Sequence, residues 1–272
     1  MSKRHGVQAE AVIVEGLAAR VHLGGQGEGL LLIHGGWGSG ALHWSRVWDA
    51  LAEHFRVVAP ELPGLGDTAQ PGLGDLGAYA RWLAALLDAV KLDSAWCVGN
   101  SFGASLACRF ASDFPQRCRG LVLVDGFAMP RTPTLMRWLG QTSLGRRQVE
   151  KMLRKNAYHP QLLARGLADP EHAPEELKAL VAQHSPRQLR TLAPVMVEGG
   201  GPAAPLPPPL LLWGARDRLW RTDPDSARKL HQGWPGSTLV FIEGAGHLPQ
   251  LENPRAFVEA LEGFVAQRAA AG

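Results

Sequence analysis

Apolar residues in this chain fall into short solid runs, separated by stretches in which they recur every three or four positions. Leu30, Leu31, Leu32 and Ile33 form one such run, and others occupy 94–98, 121–125, 210–213 and 238–242. Runs of four or five residues are too short for helices, and apolar character at every position marks strands buried on both faces. Residues 55–60 read as a further strand. Residues 11–15 and 18–23, separated by Gly16 and Leu17, read as an antiparallel pair. Helical spacing appears at 44–54 and at 76–90, where apolar residues sit at 76, 79, 83, 86, 87 and 90. From 102 to 114, small residues (Gly103, Ala104, Ala107, Ala111) alternate with Leu106 and Phe110, as a helix lying close on a sheet requires. Thr222-Asp223-Pro224 caps another helix, and Asn253-Pro254 opens the last, with Phe257, Leu261, Phe264 and Val265 on one face. The alternation predicts an α/β fold: a mostly parallel sheet with helices on both faces.

The alternation breaks between 127 and 205. This stretch has no strand pattern, short helical runs at 135–139, 148–155 and 175–183, and many prolines. It returns to the sheet through Gly199-Gly200-Gly201 and Pro207-Pro208-Pro209. The reading is a core made of 1–126 and 206–272, interrupted by a helical cap at 127–205. A length of 272 residues with 46% apolar content suits one enzyme-sized core plus an insertion.

Charge refines the picture. The formal charge is +3 with no dense basic run, which argues against nucleic acid as a partner. The cap holds eleven Lys and Arg against six Asp and Glu, so it carries about +5 while the remainder carries about −2. That is either an ordinary solvated face or an attraction for anionic substrates or surfaces. No apolar run reaches bilayer-spanning length, and the N-terminal residues lack the apolar core of a signal peptide, so a cytoplasmic protein without a transmembrane segment is expected. Cys97, Cys108 and Cys118 are odd in number and lack C-x-x-C spacing, which reads as three buried free thiols. The histidines of the cap, His159, His172 and His184, lack metal-ligand spacing, and no metal or cofactor is expected. His43, His54 and His231 fall in predicted helices, as surface or core residues.

The chemistry centres on Gly99-Asn100-Ser101-Phe102-Gly103, set between an apolar run and a helical one. A strand-to-helix turn this tight holds the serine in a strained backbone with its hydroxyl exposed, and flanking glycines avoid collisions with the neighbouring strand and helix. A serine nucleophile needs a base, an acid to orient that base, and donors for an oxyanion. Asp217 follows the run at 210–213, and His247 follows the run at 238–242. In a parallel sheet both loops leave the edge where the elbow lies, so Ser101, Asp217 and His247 can converge. Asp125, ending the strand after the elbow helix, is a second candidate for the acid. Trp37, Trp138 and Trp220 are the tryptophans expected to reach a substrate, with Leu248 beside the histidine. The apolar residues of the cap runs (Leu135, Met136, Trp138, Leu139, Met152, Leu153) are candidates to line a pocket against the core.

Over essentially its whole length the chain resembles a capped α/β-hydrolase. His34-Gly35-Gly36-Trp37 is similar to that family's oxyanion loop, residues 61–67 to its glycine-rich turn after the fourth strand, and Gly246-His247 with Glu252-Asn253-Pro254 to its histidine segment. The resemblance implies an oxyanion hole from the backbone N–H of Phe102 and that of Gly36 or Trp37, with His34 shaping the loop next to the substrate. Glu61 stands where the family usually has Asp, and Ala104 where a second glycine is common. The implied activity is hydrolysis of carboxylic esters of small molecules through an acyl-enzyme. The elbow is also similar to that of meta-cleavage-product hydrolases, which break carbon–carbon bonds with the same triad. Against that, Leu248 stands where those enzymes usually carry Trp, and their Gly-Pro-Gly oxyanion loop is absent. A cofactor-independent oxygenase or a ligand receptor on the same scaffold is a further alternative, and oligomeric state is not readable.

Overall fold

A computed structural model describes residues 6–128, 133–157, 161–175, 177–179, 186–200, 204–219 and 221–271. Eight strands form one sheet: β1 (Gln8–Val14), β2 (Leu17–Gly24), β3 (Glu28–Ile33), β4 (Phe55–Pro60), β5 (Ala95–Asn100), β6 (Cys118–Val124), β7 (Leu210–Gly214) and β8 (Thr238–Ile242). Their spatial order is β1-β2-β4-β3-β5-β6-β7-β8. β2 pairs antiparallel with β1 and β4, and every other pairing is parallel. The expected antiparallel pair is therefore the edge of an otherwise parallel sheet.

Four of the five solid apolar runs are the central strands β3, β5, β6 and β7, because side chains alternate across a sheet covered on both faces. The fifth, β8, was expected to be buried on both faces but is the edge strand, with only Ile242 buried and its other residues half-buried. Leu31 and Ile33 of β3, Cys97 of β5 and Leu121 and Leu123 of β6 belong to one buried cluster. Leu30 and Leu32, Trp96 and Val98, and Val122 and Val124 belong to another. Helices α3 (Leu76–Ala89) and α4 (Phe102–Asp113) cover the first face, with Tyr79, Leu83 and Leu86 meeting Leu106 and Phe110. The second face is covered by α1 (Gly40–Trp44), α2 (Trp48–Leu51) and the C-terminal helix of residues 254–271, whose Phe257 ring lies 6.2 Å from Trp44.

The predicted helix at 44–54 is not continuous: it contains only the last residue of α1 and the four-residue α2. Val47 departs from helical geometry (φ −121°, ψ −25°) and serves as the N-cap of α2. Strand β6 begins three residues earlier than its solid apolar run, at Cys118, which is only half-buried, whereas Cys97 and Cys108 are buried; all three thiols are free.

Between β6 and β7 the described residues contain α5 (Thr134–Gln141), α6 (Ser143–Ala157), α7 (Gln161–Gly166) and α8 (Pro186–Glu198), and no strand of the sheet. The runs at 135–139 and 148–155 lie within α5 and α6. Most of the run at 175–183 lies outside the described residues, as do His159, His184 and Trp220. Helix α8 was hidden in the sequence by Pro194, which sits inside it. After β7 come α9 (Pro224–Gln232), capped by Asp223, then α10 (Pro249–Glu252) and α11 (Pro254–Ala271). Among the described residues, no helix is long and apolar enough to cross a membrane.

Candidate active site

Register places the carboxyl ends of β3, β5, β6, β7 and β8 along one edge. Ile33 pairs with Gly99, Asn100 with Val124, Val124 with Leu212, and Gly214 with Ile242. The residues that leave these ends are His34, Ser101, Asp125, Asp217 and His247. Five sequence-distant segments thus reach one edge because the sheet is parallel there.

Ser101 sits at φ 54°, ψ −113°, a conformation that a side chain makes costly, and its amide donates to the Val124 carbonyl at 2.9 Å. The turn is tight enough to require glycine on both sides. A Cβ at Gly99 would lie 2.2 Å from the Gly103 carbonyl oxygen, and one at Gly103 would lie 2.2 Å from that of Ile33. Phe102 opens α4, so its N–H has no acceptor within the helix. Its ring meets Tyr79 of α3 edge-on at 6.2 Å.

His247 is buried, and its Nδ1 is 2.8 Å from Oδ2 of Asp217, whose side chain is fully buried. The other Asp217 oxygen accepts the Leu219 amide at 2.9 Å, which fixes the carboxylate plane. The Asn100 amide group donates to the carbonyls of Val124 and His247, both at 3.1 Å. Through Asn100 the residue before Ser101 is therefore tied to the backbone of the histidine. Between the Ser101 hydroxyl and His247, by contrast, no hydrogen bond is formed. Glu252 clamps the histidine loop from behind, accepting from the amides of Gly246 at 2.8 Å and Ala168 at 2.7 Å. Burial pushes its carboxyl up from the usual range, against the pull of those amides.

Asp125 is also buried at this edge, at φ 41°, with both oxygens near the Gly214 amide at 3.0 and 3.2 Å. Burial, and then the neighbouring charge of Asp217, hold its carboxyl well above the ordinary carboxylate range. One ligand atom from each of Asp125, Asp217 and His247 falls within 4.8 Å of the others, a spacing that would also suit a cation. The Nδ1 to Oδ2 hydrogen bond already engages one ring nitrogen and one carboxylate oxygen of that group.

The loop after β3 is held by a second buried carboxylate. Glu61 accepts from the amides of Gly40 at 3.0 Å, Ala41 at 3.2 Å and Asp67 at 2.9 Å, and lies 3.1 Å from Nε2 of His22. Burial alone would raise its pKa, but the His22 bond, the proximity of His34 and the Asp67 and Gly40 amides bring it down to about 2. His34 Nδ1 lies 2.8 Å from the Gly35 carbonyl, and its Nε2 accepts the Leu62 amide at 3.0 Å. With both ring nitrogens occupied by backbone, His34 braces the loop and has no nitrogen left for a substrate.

The other expected contacts divide. The Trp37 ring stands 5.5 Å from that of His247, with Gly166, Leu219 and Leu192 around the loop: a Cβ at Gly166 would lie 3.3 Å from Trp37, and one at Gly36 would lie 3.1 Å from Leu192. Leu248 is buried. Trp138 is 63% exposed on α5, together with Leu135 and Leu139, so these residues turn to solvent instead of toward the core as expected. Met152 is likewise exposed, Leu153 is buried, and the Met136 side chain lies outside the described set. Sequence reasoning missed Leu192 and the Gly166 segment, for which no motif exists, and Asn100, which sat unread inside the elbow.

The sequence model of the Alpha/beta hydrolase family matches residues 30–260. The chain belongs to the alpha/beta hydrolase family. Within it, the chain is 31% identical over 263 residues to a pimeloyl-[acyl-carrier protein] methyl ester esterase of Serratia marcescens, covering 89% of this chain and 96% of that protein. It is 29% identical over 267 residues to the 2-hydroxy-6-oxo-2,4-heptadienoate hydrolase of Pseudomonas putida, covering 94% and 95%. A thermophilic esterase from Thermogutta terrifontis has the same hydrolase fold, with a TM-score of 0.76 at 24% identity over 96% of this chain and 99% of that one.

The Glu61 hub has a direct consequence for acid stability. A carboxyl held at about 2 in the folded protein stabilises it fully above its unfolded pKa near 4.5, and that contribution is lost as pH falls toward about 2. Glu61→Gln should cost roughly 2–3 kcal/mol at pH 7. Urea unfolding at pH 7 and pH 3 checks this: the gap between variant and wild type should shrink at pH 3.

Proposed function

We propose that this hydrolase cleaves carboxylic esters through Ser101, His247 and Asp217. The observation that carries the reading is the 2.8 Å bond from His247 to buried Asp217, with Asn100 tying the strained Ser101 elbow to the backbone of the same histidine. With Nδ1 engaged by Asp217, Nε2 is the nitrogen left to take the Ser101 proton as the hydroxyl oxygen attacks the ester carbonyl. The tetrahedral oxyanion is received by the N–H of Phe102 and by that of Gly36 or Trp37. His247 then returns the proton to the departing alcohol. A water, deprotonated by the same nitrogen, releases the acid from the acyl-enzyme. No metal or cofactor enters this reading.

Asp217 is preferred to Asp125 on electrostatic grounds. The acid must be ionised to stabilise an imidazolium; burial and the charge of Asp217 push the Asp125 carboxyl well above the ordinary carboxylate range, and it is Asp217 that lies 2.8 Å from His247 Nδ1. The helices between β6 and β7 are read as a cap (127–205) on a core of 1–126 and 206–272. Leu192 and Leu219, with Trp37, are the apolar wall offered to the acyl or alcohol part, in place of the α5 residues. The similarity to a 2-hydroxy-6-oxo-2,4-heptadienoate hydrolase keeps carbon–carbon cleavage as a second reading, with the same nucleophile.

Ser101→Ala should lower turnover about 10^4- to 10^6-fold, and mass spectrometry should find a phosphonate ester on Ser101 of the wild type. Asp217→Asn should cost about 10^3- to 10^4-fold in kcat, as for other triad acids, and Asp125→Asn under about tenfold. A larger loss in a folded Asp125 variant would move the acid to β6. Along acetate, butyrate and hexanoate esters, kcat/KM should climb by up to about fourfold per buried methylene (~0.8 kcal/mol), and Leu192→Ala should flatten the series. Turnover confined to a dienol diketone would select the carbon–carbon reading.

A further inference from the structure

The apolar residues that α5 withholds from the interior lie together. Leu135, Trp138 and Leu139 are 67%, 63% and 47% exposed, and their spacing of three and four places them on one face of the helix. Leu144, 66% exposed, continues the patch into the first turn of α6, and Gly145 packs its backbone against the Leu139 carbonyl, so the two helices meet closely there. The opposite side is the packed one: Gly140 lies against Val197 of α8, and Leu153 is buried. This hairpin therefore presents its apolar stripe outward.

Beside the stripe lies concentrated positive charge. Residues 133–157 hold six cations (Arg137, Arg146, Arg147, Lys151, Arg154, Lys155) against one acid, Glu150, so the basic surplus of the whole 127–205 segment resides here. Arg147, Lys151 and Lys155 recur every four residues on the exposed face that begins with Leu144. Arg137 pairs with Glu198 at 3.6 Å, but Arg146, Arg147, Lys151 and Lys155 form no ion pair among the described residues.

We propose that the α5–α6 hairpin docks the protein on the surface of an anionic phospholipid bilayer. An indole flanked by leucines suits the depth of the head groups and upper acyl chains, while cations along the next helix meet lipid phosphates. The pattern is that of a helix lying in an interface. Charge complementarity separates this occupant from a second copy of the chain, because a two-fold contact through this face would set the same cations against each other. The proposal stands independently of the ester reading, since nothing in it uses Ser101.

The test is cosedimentation of the full chain with vesicles of phosphatidylcholine alone or with phosphatidylglycerol, at low salt and in 0.5 M NaCl. Binding is expected on the anionic vesicles and is weakened by salt. Two variants, Leu135→Ser/Trp138→Ser/Leu139→Ser and Arg147→Gln/Lys151→Gln/Lys155→Gln, change only exposed positions, and circular dichroism checks that they fold. At about fivefold per cation near the surface, the charge variant should bind about a hundredfold more weakly. The apolar variant should lose the blue shift of tryptophan fluorescence that insertion of Trp138 produces. The proposal is overturned if wild type ignores anionic vesicles or if both variants bind as it does. Dimers dispersed by the apolar variant, or retention on an acidic carrier protein without vesicle binding, would overturn it in favour of a protein partner.

Discussion

The first turn of α4 approaches the end of β3 so closely that position 103 has no room for a side chain, and the rest of the site depends on that contact. A Cβ there would meet the Ile33 carbonyl at 2.2 Å. Because the approach is possible, Ser101 is raised on a strained turn next to the loop that starts at His34. A similar constraint operates across the edge, where a Cβ at Gly214 would lie 1.8 Å from the Gly246 carbonyl oxygen. Glycine at both junctions lets the backbones that carry Asp217, His247 and Ser101 close on one another.

Three buried carboxyl groups and a half-buried fourth, Glu252, then divide the electrostatic labour. Glu61 is rich in donors and stays ionised, and this anchors the N-terminus of α1 and the turn at Asp67 to β2. Asp217 is oriented by the Leu219 amide and spends its second oxygen on His247. Asp125 is buried with one amide and faces the charge of Asp217, which together push its carboxyl well above the ordinary carboxylate range. Glu252 fastens the histidine loop to the segment after α7. The same functional group takes different states because donor count and neighbouring charge differ at each place.

Helix α8 joins the loop after β3 to the exposed apolar stripe of α5. Its Leu192 packs on Gly36, its Thr191 donates to the Gly64 carbonyl at 2.9 Å, and its Val197 receives Gly140 of α5. The outward stripe of α5 is therefore one helix removed from the loop beside Ser101.

The strand runs were legible because a strand buried on both faces must be apolar at every position, and no other short element demands this. The elbow and the loops of Asp217 and His247 were legible from the same cause, since each follows a solid run. Helix 44–54 was misread as continuous because apolar spacing does not report the turn at Val47, and α8 was missed because a proline inside a helix mimics a break. The outward face of α5 shows the limit most clearly. Periodicity tells which residues share a face, but not whether that face meets the core or water, because the answer depends on what packs behind it. Likewise two aspartates at neighbouring strand ends looked equivalent along the chain. Only their tertiary placement separated them, since the hydrogen bond to His247 and the burial of a second charge exist only once the sheet has brought both to one edge.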